Sequence, residues 1–392
     1  MKLTFLSFSD YKGGASIAAY EIFKSIKLKK SFFLTVYGKH NKSKEIYNFL
    51  KKIYISILRI LEKILIFFVC KKKYHQSLNI FNTFSKNKIT NYNSDILNIH
   101  WINRSMISLK ELISLNQKIV ISLHDTWFLN STEHYTDKAD KNGDFLSNYC
   151  RILKKKLANN KNVFFIAHNN WMLNKFKLSY PTLKKKIFLS KFYPIDTKVF
   201  RPKNKIKLRE KYNVPKNKIV IFFSAQNMDD QRKGFIYFKK ILKKLSKKDK
   251  FFFISLGHKN SAFLGIDNYK HFDFLPYKET SDIYSLSDIY ICTSLIDNLP
   301  LTVLEALSSG NLVISFKNGG AEEVLKKTGY TFKISEISKL TDFIGNLSMN
   351  KIKTKSIISR RFALKNFNSK ITKKNYLSIF KSVIKKEISY TK

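Results

Sequence analysis

Two carboxylates, Asp297 and Glu305, stand eight residues apart inside the stretch Ile289 to Gly320, IYICTSLIDNLPLTVLEALSSGNLVISFKNGG. A carboxylate at a binding crevice accepts hydrogen bonds from a diol, and the N–H groups of a helix start or a Gly turn take an anion. The β-branched run Ile289 to Thr293 predicts a strand that ends in a polar loop carrying Asp297. Pro300 then suits a first helical turn, where its fixed φ and missing N–H are harmless. The helix is expected over Pro300 to Ser309, stopping at Gly310, and Asn311 to Phe316 reads as a second buried strand before Gly319–Gly320. Such a strand–helix–strand unit sets Asp297 beyond a strand's carboxyl end, where open α/β sheets bind ligands, and puts Glu305 within the helix. Diol plus anion describes a sugar nucleotide.

This segment resembles the donor-binding signature of retaining glycosyltransferases of family 4. Their usual Glu-x7-Glu stands here as Asp297 to Glu305, with Asp for the first Glu, and the run DNLP-x-T-V-x-EAL-x-x-G is kept from Asp297 to Gly310. The resemblance implies donor binding by Asp297, Asn298, Leu299 and Glu305, with Asp297 also in the catalytic set. Without it, the same residues read as an ordinary strand–helix unit with a surface Asp.

Arg232 and Lys233 supply the complementary chemistry. They follow a predicted strand, Ile219 to Ser224, and a polar loop, Ala225 to Gln231, and precede Gly234 at the next helix start. Cations there suit a diphosphate, which gains negative charge as a glycosidic bond breaks. Among 73 Lys and Arg residues a basic pair means little by composition. Its position before Gly234, however, resembles the family's Lys-Gly element that binds donor phosphates. Met228 stands where many members carry a further Arg, and Arg232 is expected to substitute.

The N-terminal half begins with a predicted strand, Leu3 to Phe8, a loop containing Gly13–Gly14, and a helix over Ser16 to Lys27. Paired glycines between strand and helix let a ligand approach the backbone, and they resemble the family's Gly-rich loop beside donor phosphates and acceptor. Phe32 to Tyr37 reads as a strand and Ser43 to Val69 as one long helix, apolar nearly all round, with Lys51, Lys52, Arg59 and Lys63 interspersed and Lys71–Lys73 beyond it. Two readings stay open for it: a core helix, or an amphipathic element lying on a membrane. The strands Ile96 to His100 and Lys118 to Leu123 lead into His100–Trp101 and His124–Asp125. A strand-end His can donate to a sugar hydroxyl or a leaving phosphate. His124–Asp125 resembles the family's His-Asp pair, whose His contacts the donor sugar; Glu133–His134–Tyr135 resembles a His-Tyr element, acceptor-side or structural.

Val163 to Ile166 predicts a further strand, and Phe192 to Pro202 resembles the family's crossover between domains, with Tyr193–Pro194 in place of Asn-Gly or Asn-Pro. Read without the resemblance it is a Pro-containing linker. Glu322–Glu323 opens a helix after the Gly pair. The expected division is an acceptor-binding domain over 1–197, a donor-binding domain over 198–368, and a C-terminal helix over 369–392 returning to the first.

At 392 residues the chain is long enough for two cores. A net charge of +45 invites nucleic acid, but the lysines form no single stripe, whereas a diffuse positive surface attracts anionic membranes. Cys70, Cys150 and Cys292 form no CxxC pattern, so neither a disulfide framework nor a zinc site is indicated, and a cytoplasmic setting fits. The start carries no signal-peptide pattern and Ile53 to Val69 is too interrupted to span a bilayer. The resemblance implies an α/β fold of two Rossmann-like domains facing a central cleft, GT-B. It also implies a retaining, metal-independent hexosyltransferase with a nucleotide-sugar co-substrate and no cofactor. A glycan or lipid-linked acceptor is expected, on the inner face of the membrane. The alternatives are a GT-B sugar-nucleotide epimerase, a catalytically degenerate subunit and, last, a basic nucleic-acid-binding protein.

Overall fold

Short apolar strands alternate with helices along the chain, the pattern that builds parallel sheets buried on both faces. The computed structural model describes residues 1–70, 75–136, 144–258 and 266–385; the Lys71–Lys73 run and the end of the C-terminal segment lie outside them. Two units divide the chain, Met1–Tyr193 with Lys370–Lys392, and Pro194–Ser369.

The first unit holds seven strands: β1 (Leu3–Leu6), β2 (Ser31–Thr35), β3 (Ser43–Glu45), β4 (Ile96–Ile99), β5 (Lys118–Ser122), β6 (Val163–Ala167) and β7 (Ile187–Leu189). They lie side by side in the order β3-β2-β1-β4-β5-β6-β7, each neighbouring pair parallel. Phe5, Leu34, Leu97, Ile119 and Phe165 are completely buried in the sheet. Helix α1 (Gly14–Ile26) follows β1, and α2 (Phe49–Val69) follows β3. The single helix expected over Ser43 to Val69 is therefore two elements. Ser43–Glu45 pairs with the edge of β2, and α2 starts only after Asn48, whose side chain caps it by accepting the Lys51 N–H at 3.0 Å. The helix Ser369–Lys385 also belongs here from Lys370 on: Tyr376, Phe380 and Val383 are buried, and the Lys118 ammonium donates to the Val383 and Ile384 carbonyls at 3.0 and 2.8 Å.

The second unit holds β8 (Ile219–Asn227), β9 (Phe251–His258), β10 (Tyr269–Phe272), β11 (Ile289–Cys292), β12 (Leu312–Phe316) and β13 (Tyr330–Phe332), again all parallel, in the order β10-β9-β8-β11-β12-β13. Buried Asp288 ties its elements together, accepting from Arg209 Nη2 at 2.6 Å and from the Val220 N–H at 2.8 Å. A buried carboxylate needs such partners to stay charged.

Each sheet reverses its winding once. In the first, β1 lies between β2 and β4; in the second, β8 lies between β9 and β11. At such a switch point the connections leave to opposite faces and the loops beyond the strand ends part, which opens a crevice. The loop after β8 and the loop after β11 must therefore lie side by side, and so must those after β1 and β4.

Candidate active site

In the second unit the two switch-point loops carry Arg232–Lys233 and Asp297, and the structure brings all three into contact. Gln231–Lys233 forms a single 3-10 turn, after which Gly234 takes φ 65° and a helix begins at Phe235. A Cβ on Gly234 would meet the Thr293 carbonyl oxygen at 2.0 Å, so only glycine lets the loop lie against the end of β11. Leu295 N–H donates to the Arg232 carbonyl at 2.7 Å and locks the loops together. The Lys233 ammonium then lies 2.8 Å from Asp297 Oδ2, and Arg232 Nη1 donates to the same oxygen at 3.1 Å. Arg232 is further aimed by the Ile296 carbonyl at 3.2 Å and by Asp230 Oδ2 at 3.2 Å. Asp297 is held from below as its N–H donates to the Asn318 carbonyl at 3.1 Å, a bridge that joins the Asp297 loop to Gly319.

Burial alone would raise the Asp297 pKa, but the Lys233 and Arg232 charges outweigh it and hold the group below the usual carboxylate range. The cluster is thus a cation pair neutralised by one nearly buried carboxylate, 7% exposed. A diphosphate offers the same pair more charge and more oxygens than Asp297 does.

Glu305 belongs to a neighbouring but separate group. It lies within the helix Leu301–Ser308, half-buried, and accepts the Tyr284 hydroxyl at 3.0 Å. Tyr284 and Tyr290 both reach the Ser224 hydroxyl, at 3.3 and 3.2 Å. Burial pushes the Glu305 carboxyl up to about 7, against the opposing Tyr284 hydrogen bond. Asn298 and Leu299, the two residues after Asp297, are buried beneath the loop.

In the first unit Gly13, at φ 88°, stands immediately before α1, and Gly14 is its first residue. The C-terminal ends of β4 and β5 carry His100 and His124 into one hydrogen-bonded chain. The Asn98 amide donates to the Val120 carbonyl at 2.8 Å, leaving its oxygen to accept from His100 Nε2 at 2.9 Å. His100 Nδ1 must then accept from His124 Nε2, at 2.8 Å, and His124 Nδ1 from the Tyr193 hydroxyl, at 3.1 Å. Burial, then His100 and His168 as neighbours, drive the His124 pKa well below the ordinary imidazole range, and burial takes His168 down to about 3. All three rings are neutral. Asp125 faces away from this chain and pairs with His134 Nδ1 at 2.6 Å, which outweighs its burial and keeps its pKa low. His134 Nε2 in turn lies 2.9 Å from the Ser77 hydroxyl.

Residues 204–361 match the family model described as glycosyl transferases group 1. No curated protein matches the chain. Among solved structures, a glycosyltransferase from Rickettsia africae is similar at 17% identity and TM-score 0.66, over 98% of this chain and 99% of that one. HepE of Anabaena, in complex with UDP-glucose, is similar at 16% identity and TM-score 0.70, over 97% and 100% of the two chains. Sucrose-phosphate synthase of Thermosynechococcus elongatus is similar at 12% identity and TM-score 0.70, over 98% and 99%. The fold is GT-B. At these identities the likeness speaks for the fold alone, the parallel sheets of seven and six strands with their flanking helices.

Within this GT-B chain the expected residues fall into three groups: Arg232, Lys233 and Asp297 in mutual contact, Glu305 with Tyr284, and His124 with His100 and Tyr193. Sequence reading passed over Asp230, Tyr284, Ser224 and Asn98, which orient these groups. Asp230 carried a signal, an acidic residue two before Arg232 at a turn start, where its carboxylate accepts the Arg232 N–H at 3.0 Å. Tyr284 and Ser224 carried none, since their neighbourhood depends on the pairing of β8 with β11.

Proposed function

We propose that the protein is a retaining glycosyltransferase that moves a hexose from a nucleotide-sugar donor to a glycan or lipid-linked acceptor in surface polysaccharide synthesis. The reading rests on one observation: Arg232, Lys233 and Asp297 meet at the switch point of a parallel sheet, within the segment that matches glycosyl transferases group 1. Arg232 and Lys233 exchange Asp297 for the donor diphosphate and stabilise it as it leaves. Glu305, once ionised, accepts the ribose hydroxyls, and the backbone at Asn298 and Leu299 borders the sugar. His124 serves the sugar on the side of the first unit by exchanging its Tyr193 hydrogen bond for one from a sugar hydroxyl, and Gly13–Gly14 allow close approach of phosphate or acceptor. In the transfer the bond from the anomeric carbon to the phosphate oxygen breaks, with its electron pair leaving on the nucleoside diphosphate. The acceptor oxygen bonds to the same face, and its proton passes to the departing phosphate oxygen. Two basic side chains then do the neutralising work that a cation does elsewhere. An anionic membrane surface, met through the first unit, is where a lipid-linked acceptor would be found.

The test is a thermal-shift screen of nucleotide sugars, with UDP-glucose first because HepE is seen with it. Incubation of the best donor with glycan and lipid-linked acceptors follows. NMR of the product reads the anomeric configuration: the donor's own configuration supports retention, and the opposite one removes it. Epimerised sugar released without an acceptor would replace the transferase with an epimerase.

A further inference from the structure

One surface of the first unit is left unexplained by transfer chemistry. Helix α2 turns Ile55, Leu58 and Glu62 inward, and the Glu62 carboxylate accepts from the Leu78 N–H and the Ser105 hydroxyl. On its other side Leu50, Ile53, Ile57, Ile60, Ile64 and Phe67 recur every three or four residues, and all are exposed, from 44% at Ile53 to 76% at Phe67. A helix facing water carries polar residues on that side. No helix among the described residues is long and apolar enough to cross a membrane, so this stripe suits a helix lying in an interface.

Beside the first turns of α2 opens a cavity of ≈ 360 Å³, the size of a small-ligand site. Lys86, Lys110, Asn82 and Asn87 line it together with exposed Phe84. It is tied to α2 directly: the Tyr54 hydroxyl donates to the Asn82 carbonyl at 3.0 Å, and the Lys51 ammonium lies 5.0 Å from the Phe84 ring centre. Glu111, the one carboxylate on the cavity wall among the described residues, is already committed to the Thr83 and Ser85 N–H groups at 2.9 and 2.7 Å and to the Ser108 hydroxyl at 2.8 Å. Neither Lys86 nor Lys110 has an ion-pair partner among the described residues. Apolar side chains poised for acyl chains, beside two ammonium groups of which, among the described residues, Lys110 has only the Tyr149 ring, at 5.6 Å, as a partner, match the two ends of an anionic phospholipid.

We propose that the α2 stripe and the Lys86–Lys110 cavity form one docking surface for an anionic membrane. The stripe enters the acyl boundary and the cavity takes the phosphate of a lipid headgroup. The proposal deepens the membrane part of the reading above and does not depend on the transfer chemistry.

Flotation of the full chain with phosphatidylcholine vesicles, with and without phosphatidylglycerol, tests it, with glycerol 1-phosphate as a soluble competitor. The phosphatidylglycerol vesicles should bind, and glycerol 1-phosphate should compete. Lys86→Gln with Lys110→Gln should weaken binding about 10–30-fold, at ~1 kcal/mol per lysine near the surface, and abolish the competition. Leu50→Ser with Phe67→Ser should remove the part of binding that survives high salt. A charge-matched pair in the second unit, Lys243→Gln with Lys247→Gln, should leave binding nearly unchanged. An equal loss in that pair overturns the site in favour of diffuse charge. Self-association without vesicle binding gives the stripe to a second copy, and glycerol 1-phosphate binding without vesicle binding gives the cavity to a soluble phosphate; either overturns the proposal. Circular dichroism checks that the variants fold. Titration of the same proteins with the nucleotide sugars of the screen keeps the outcomes apart: an unmodified chain that binds none of them sinks the transferase reading and leaves the docking surface standing.

Discussion

One strand beyond the switch point of the first sheet, the side chains after β4 and β5 are His100 and His124, held neutral by burial and by a hydrogen-bonded chain that runs from Tyr193 to Asn98. Where the second sheet changes direction, the side chains beyond β8 and β11 are Arg232, Lys233 and Asp297, joined in one ion-paired cluster. Both groups stand at the carboxyl ends of neighbouring parallel strands, so the backbone alone does not dictate the electrostatics. A neutral, directional network suits hydroxyl groups, which both donate and accept. A cation pair with an internal carboxylate suits a ligand that brings its own negative charge and displaces that carboxylate. On the proposed reading each unit meets one part of a nucleotide sugar, and the contrast can be broken from either side.

The largest effect is expected on the charged side. Arg232→Ala with Lys233→Ala should lower turnover by about 100-fold or more, as removal of preorganised stabilisers of developing charge does, read in steady-state assays with the best donor. Asp297→Asn attacks the same cluster from within: it leaves two cations facing each other in a largely buried site. The unliganded protein should lose ~1–3 kcal/mol in urea unfolding, and saturating donor should restore most of it. A loss that donor does not restore would mean that Asp297 is structural only.

The neutral side predicts an acid effect. His100, His124 and His168 all have folded pKa values depressed below that of free imidazole, so the unfolded chain takes up protons first as pH falls. Stability is therefore complete above about pH 6.5 and drains below it, toward the low folded values. The urea midpoint at pH 5 should fall below that at pH 7, and His168→Asn should flatten the slope if it folds.

The smallest effect concerns Glu305, whose carboxyl is raised to about 7. The sign is the reverse of the histidine case: the protonated form is favoured in the fold, so stability is greatest below the ordinary carboxylate pKa and declines as pH rises through about 7. Glu305→Gln should raise the melting temperature at pH 8 by a few degrees and leave it unchanged at pH 4. The same substitution should abolish the rise in donor affinity expected as pH climbs through about 7 in the unmodified protein.

These contrasts were legible in the sequence to different depths. The strand–loop–helix around Asp297 follows from local signals, a β-branched run, a proline and a glycine stop, and it appears within a residue or two of its expected bounds. The meeting of Arg232 with Asp297 follows from topology once β8 and β11 are neighbours, which a family resemblance suggests and periodicity does not. The outward stripe of α2 stands in the sequence as one of two open readings of that helix, but the helix start expected at Ser43 lies at Phe49. The polar Ser43–Glu45 segment was absorbed into the helical pattern, and the capping role of Asn48 went unrecognised. Tyr193 looked like a departure from a loop motif; as the donor to His124 Nδ1 it closes the histidine chain, a role that depends on contacts far apart in sequence.

The most direct test of the account is a calorimetric titration of the best nucleotide sugar into the unmodified chain and into the Arg232→Ala, Lys233→Ala variant. Saturable binding that disappears in the variant is the predicted result. Equal affinity in the two proteins would contradict the exchange of Asp297 for a diphosphate on which the reading rests.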